Sequence, residues 1–179
     1  MSKKLINITA VLAKIFEILL WLGDTLMIVA YIVTMAAGEF IENILKSRID
    51  DGSFTVTGFD INVISADGSF NTLAILFAFI AGIVSMGLCA MICRNINQIF
   101  KAELPFCTDN IRRVREIGIF AIAIPVTQIV ISIVIGLIST NTIEVSVDAS
   151  TIFFGLVVLC LSQFFHYGAN LEKDVDGLL

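Results

Sequence analysis

Charge is scarce in this chain. Only 15% of its 179 residues are charged, against about 25% in an ordinary soluble domain. Proline is nearly absent, with two residues, and 12 glycines are spread along the chain, so its apolar excess is not low-complexity filler. Cys89 and Cys93 share one helical face, but a metal centre needs more ligands than that pair, and the single histidine is His166. No nucleophile stands near a base in the sequence, so no enzymatic reaction and no cofactor is expected. A net charge of −5 excludes the broad basic face that direct nucleic-acid binding needs.

What is abundant is hydrocarbon: 58% of the residues are hydrophobic. A helix needs roughly 20 apolar residues to cross about 30 Å of lipid core. Four stretches qualify, at about 15–37, 73–93, 117–138 and 150–170. The first is interrupted by Glu17 and Asp24, the second and third carry no charge, and the fourth gains its length from the residues flanking a short apolar part, Ile152 to His166. Lys3 and Lys4 ahead of the first stretch raise the alternative of a signal peptide, but its apolar part is too long and contains acids. The expectation is one all-α membrane domain, a four-transmembrane-helix bundle over residues 1–179.

Basic residues set the orientation. Lys3, Lys4, Lys14, Arg94, Lys101, Arg112, Arg113, Arg115 and Lys173 fall on one side, and only Lys46 and Arg48 on the other. The positive-inside rule then places both termini and the 94–116 connection in the cytoplasm, with loops 38–72 and 139–149 outside. The expected location is a bacterial inner membrane. Neither outer loop holds a cysteine, so no outer disulfide forms and disulfide exchange at that face is excluded.

Period-two alternation marks SFTVTGFDINVIS, residues 53–65, and TIEVSV, residues 142–147. With Gly58 at the reversal, this predicts a small extracellular β-hairpin or sheet cap. On the inner side, Ile96, Ile99 and Phe100 continue the second span as a helix to Lys101, and Leu104-Pro105-Phe106 breaks it. Thr108 reads as the N-cap of a new helix with Asp109 in its first turn. The product is a cytoplasmic helical hairpin carrying Arg112, Arg113 and Arg115. These arginines suit topology and anionic lipid, or they form a docking surface. The acidic tail 171–179, with Glu172 and Asp174, is the intramolecular candidate for that surface.

Within the spans, Asp24 is the most costly residue, at about +2.5 to +3.5 kcal/mol on insertion scales. It must face the bundle, find partners or be protonated. The expected partners are Gln128, as the donor, with Ser85 and Gln163 completing an intramembrane polar cluster. Glu17 reads as an ordinary pair with Lys14. Ala74, Ala78 and Gly82, and again Ala81, Ser85 and Cys89, repeat every four residues and predict close helix contact. Pro125 predicts a kink in the third span.

The stretch ELPFCTDNIRRVREIG, residues 103–118, resembles a bacterial membrane family known as domain of unknown function 2975. Its proline-phenylalanine-threonine stretch, basic helix and third span follow the family order. FFHYGANLEKDVDGLL, residues 164–179, is similar to the family's ending. The likeness covers the second half closely and the first half only in layout. Cys107 stands between Phe106 and Thr108 where the family runs straight on, and His166 stands where arginine is usual. The resemblance implies a four-helix membrane protein with no assigned reaction. Its members are often encoded beside a small helix-turn-helix regulator, which implies a membrane sensor that holds or releases a transcription factor. The contact surface would then comprise Pro105, Phe106, Thr108, Arg112, Arg113, Arg115, Glu172 and Asp174. The rival expectation is a transporter or channel subunit built on Asp24. With four spans, such a carrier would work as a homo-oligomer.

Overall fold

The computed structural model describes residues 3–37, 53–56, 59–62, 72–102, 107–138, 144–145 and 149–176. Four long helices account for most of them: α1 (Lys3–Ala36), α2 (Thr72–Lys101), α3 (Thr108–Ile138) and α4 (Ala149–Asp176). Each contains a stretch long and apolar enough to cross a membrane: Ile6–Ala36, Ile75–Lys101, Thr108–Leu137 and Ala149–Leu171. That fits a multi-pass membrane protein.

The distribution of side chains gives the physical reason. Leu26 is 64% exposed, Phe153 69% and Phe164 71%, whereas the buried hydrophobics are mostly alanines, among them Ala78, Ala81, Ala90 and Ala121, joined by Ile75, Ile117, Ile131 and Ile135. A soluble protein would bury the large residues and gain about 25 cal/mol per Å². Here they are exposed, which suits a multi-pass membrane protein, since lipid would solvate them as well as a protein core would. With no hydrophobic force to drive helices together, association depends on close packing, and small residues allow it.

The chain divides into two compact units. The first holds Met1–Trp21, Leu88–Ala123 and Ala149–Leu179. Within it, α3 and α4 meet at glycines. A Cβ on Gly118 would stand 3.0 Å from the Gly155 carbonyl oxygen and 2.8 Å from Leu159 Cγ. A Cβ on Gly155 would stand 3.0 Å from the Gly118 carbonyl and 2.6 Å from Ile122 Cγ1. As α3 advances from 118 to 122, its neighbours on α4 step back from 159 to 155, so the two helices run antiparallel.

The second unit holds Leu22–Gly87 and Ile124–Asp148. Its core is Ala78 and Ala81 of α2 against Ile131 and Ile135 of α3, with Phe77 packed on them. Of the predicted small-residue stripe, Ala78, Ala81, Gly82 and Ser85 are buried, while Cys89, which belongs to the first unit, is half-buried. Three short strands also belong to the second unit: β1 (Ser53–Val56), β2 (Phe59–Asn62) and β3 (Glu144–Val145). They pair antiparallel in the order β1-β2-β3, with Phe54 opposite Ile61 and Asp60 opposite Glu144.

Helix ends differ from expectation in three places. α3 is capped one residue earlier than Thr108: the Cys107 carbonyl accepts from the amides of Asn110 at 3.0 Å and Ile111 at 3.2 Å. An N-cap is the residue whose carbonyl takes the first intrahelical bond, which here is Cys107. α4 runs on to Asp176, so Glu172 and Asp174 sit on a continuing helix rather than on a free tail. α1 begins at Lys3, well before the predicted span start at 15. Apolar content bounds the stretch that crosses lipid, whereas backbone hydrogen bonds bound the helix, and they continue into polar surroundings. α3 passes through Pro125 as one helix, with that proline fully buried.

Candidate functional site

Chemistry gathers in the first unit, where the end of α2 meets the start of α3. Asn95 and Glu116 each lie ten residues from the Pro105-Phe106 break, one before it and one after. A hairpin folded about that break sets them opposite each other. Asn95 Nδ2 donates to Glu116 Oε2 at 3.0 Å. Arg112 Nε stands 3.5 Å from Glu116 Oε1, one helical turn away. Glu116 thus links the two arms with one oxygen and holds an arginine with the other.

Beside this link lies a cleft of about 210 Å³ lined by Met91, Arg94, Asn95, Gln98, Glu116 and Phe120. Polar atoms from both arms line it.

The three predicted arginines divide. Arg112 has a side chain 68% exposed, and Arg115 is also exposed. Arg113 is half-buried, and its Nη1 donates to Asn110 Oδ1 at 3.1 Å. Asn110 is 2% exposed, so Arg113 is engaged by a buried partner on its own helix. Thr108 is exposed at the start of α3. Pro105 and Phe106 lie outside the described residues. Glu172 and Asp174 are placed on α4 by their backbone, and their side chains lie outside the described set.

Glu17 is more deeply placed than an ordinary surface pair. It is 7% exposed and accepts from Lys14 Nζ at 3.0 Å, while the lysine side chain is half exposed. Such a lysine carries its charge toward water along an apolar stem while screening a buried acid.

The expected intramembrane cluster comes together only in part. Asp24, Ser85 and Gln128 belong to the second unit, whereas Gln163 is an exposed residue of the first. Asp24 is 6% exposed, and its Oδ1 has no hydrogen-bond partner among the described residues. Gln128 therefore does not donate to that oxygen. Gln128 is half-buried, and its carbonyl accepts from Ser132 Oγ at 2.7 Å. Ser85 is 5% exposed with an equally unmatched Oγ. Asp24 Oδ2 faces α2, 3.9 Å from where a Cβ on Gly87 would be. By contrast Thr34, also buried, satisfies its hydroxyl on the Ala30 carbonyl at 2.8 Å.

Sequence reasoning passed over Asn95, Asn97, Asn110 and Glu116, of which all but Glu116 are buried. The symmetric spacing of Asn95 and Glu116 about the break was the available signal. Among the described residues, no group of three or more His, Cys, Asp or Glu is placed to hold a metal ion. No known family model, curated protein or solved structure matches this chain.

Proposed function

We propose that this is a non-enzymatic regulatory membrane protein that binds a cytoplasmic partner through the α2–α3 hairpin. The reading is supported by one observation above the others. The hairpin arms are joined by the Asn95–Glu116 hydrogen bond, while Arg112 and Arg115 project from it with exposed side chains. Fixing the arms while leaving these cations exposed to solvent suits recognition of an acidic surface, because little side-chain order is lost elsewhere on binding. The positive-inside bias puts this hairpin in the cytoplasm of a bacterial inner membrane and puts the small sheet outside as a cap. The likeness to domain of unknown function 2975 supplies the partner class, a small helix-turn-helix transcription regulator. Reversal of charge in R112E/R115E should abolish co-purification of such a regulator with the membrane fraction, with insertion intact. Undiminished co-purification sinks the reading.

A second reading rests on Asp24. A buried carboxylate oxygen with no donor, in a helix able to span a membrane, suits a site that takes up a proton or a small cation. The protein would then be a small transporter or channel subunit acting as a homo-oligomer. Liposomes carrying the wild type should show a flux that D24N removes. Wild-type liposomes that pass nothing under any ion or proton gradient dispose of it.

A further inference from the structure

A second cleft lies in the first unit, between the start of α1 and the end of α2. It encloses about 190 Å³ and is lined by Ala10, Val11, Lys14, Ile15, Asn97 and Lys101. Its chemistry is uneven. Val11 and Ile15 are 57% and 48% exposed, so one wall faces where acyl chains run. The two lysines supply cations. Lys14 already meets Glu17 at 3.0 Å, but an ammonium has three donors. Lys101 is exposed and forms no ion pair with a described residue. Two ammoniums against one carboxylate leave the cleft with a net positive charge.

Lysines at helix ends have ordinary uses. Lys101 sits in the last turn of α2, where a cation offsets the helix dipole. The feature that those uses do not explain is Asn97. It is 5% exposed, it lines the cleft, and its Oδ1 is sealed from solvent with no hydrogen-bond partner in the described residues. A buried carbonyl oxygen left unmatched costs about 1–3 kcal/mol. It calls for a donor, and a ligand in the cleft that Asn97 lines would supply one.

We propose that this cleft holds an anionic phospholipid whose headgroup carries a free hydroxyl, as phosphatidylglycerol does. The phosphate lies between the Lys14 and Lys101 ammoniums. A headgroup hydroxyl donates to Asn97 Oδ1. The first methylenes of an acyl chain run along Val11 and Ile15. A soluble phosphate ester would satisfy the cations but leave the apolar wall uncovered, so the ligand is a lipid. Because none of these residues belongs to the arginine surface, the inference stands apart from the proposed function.

Native mass spectrometry of the full chain in a neutral detergent tests it, using short-chain phosphatidylglycerol, phosphatidylethanol and phosphatidylcholine. Phosphatidylethanol has the same charge and nearly the same headgroup size but no hydroxyl. The expected order of bound lipid is phosphatidylglycerol, then phosphatidylethanol, then phosphatidylcholine. K101Q should weaken both anionic lipids about fivefold, the equivalent of ~1 kcal/mol for one basic residue at the surface. N97L should erase the preference for phosphatidylglycerol over phosphatidylethanol while keeping both above phosphatidylcholine. The wild-type comparison decides the matter even if N97L does not fold. Equal binding of phosphatidylglycerol and phosphatidylethanol overturns the proposal, as does equal binding of phosphatidylcholine. Displacement of bound lipid by an equal concentration of glycerol 3-phosphate also overturns it, because the ligand would then be soluble.

Discussion

At the scale of single residues, Asn95 and Asp24 are both buried polar groups in apolar helices, and they sit at opposite ends of one rule. Asn95 has a charged acceptor in Glu116 at 3.0 Å, while Asp24 Oδ1 has no donor. Removing Asn95 should therefore cost stability. N95A is expected to lower unfolding free energy in detergent by about 1–2 kcal/mol, less than a fully buried charged hydrogen bond because Glu116 is partly exposed. E116Q should cost less than E116A, since a glutamine oxygen still accepts from Asn95. The Arg112–Glu116 pair should add almost nothing, because both side chains are more than a third exposed. Asp24 should behave in the opposite sense. D24N replaces a carboxylate with one unmatched oxygen by a neutral amide, so the variant should insert and resist unfolding at least as well as wild type. A marked loss of stability would show that Asp24 has a partner after all.

At the scale of helices, glycines make the sharpest contrast. Gly118 and Gly155 abut each other's backbone, and a methyl on either must push against a carbonyl oxygen that cannot swing away. G118A and G155A are each expected to destabilise by about 1–3 kcal/mol through overpacking. Gly136, on the same α3, has nothing within 4 Å of its Cβ position. G136A should be neutral or stabilise by up to about 1 kcal/mol, the ordinary helix preference for alanine. Thermal unfolding of the three variants in one detergent separates the cases. The hairpin offers a similar contrast. R113E loses the Asn110 bond, sets a carboxylate beside that oxygen and should unfold more readily, while R112E should keep wild-type stability. Only the second is a clean probe of docking.

At the scale of the whole molecule, the exposed leucines and phenylalanines on four helices long enough to span fit a multi-pass membrane protein. It should stay with membranes through high salt and alkaline carbonate and leave them only in detergent. Its orientation is open to cysteine labelling. A variant keeping only Cys107 should react with an impermeant maleimide after the membrane is opened and not before. A cysteine-free variant carrying D60C should react in intact cells. The reverse pattern would invert the topology and remove the basis for a cytoplasmic partner.

The number of apolar helices, and the charge bias from which an orientation is inferred, were written in the sequence. Both depend on local sums: runs of hydrocarbon long enough for a bilayer, and basic residues counted loop by loop. The alternating stretches at 53–65 and 142–147 also contain β1, β2 and β3, for the same reason of short-range periodicity. Tertiary structure alone decided which polar groups are matched. It tied Arg113 to Asn110 while leaving Arg112 exposed, turned Gln163 outward, gave Asn95 a partner and left Asp24, Ser85 and Asn97 with bare oxygens. A hydrogen bond is fixed by the last ångström between two helices. That distance is a product of packing between helices, which no short window of sequence contains.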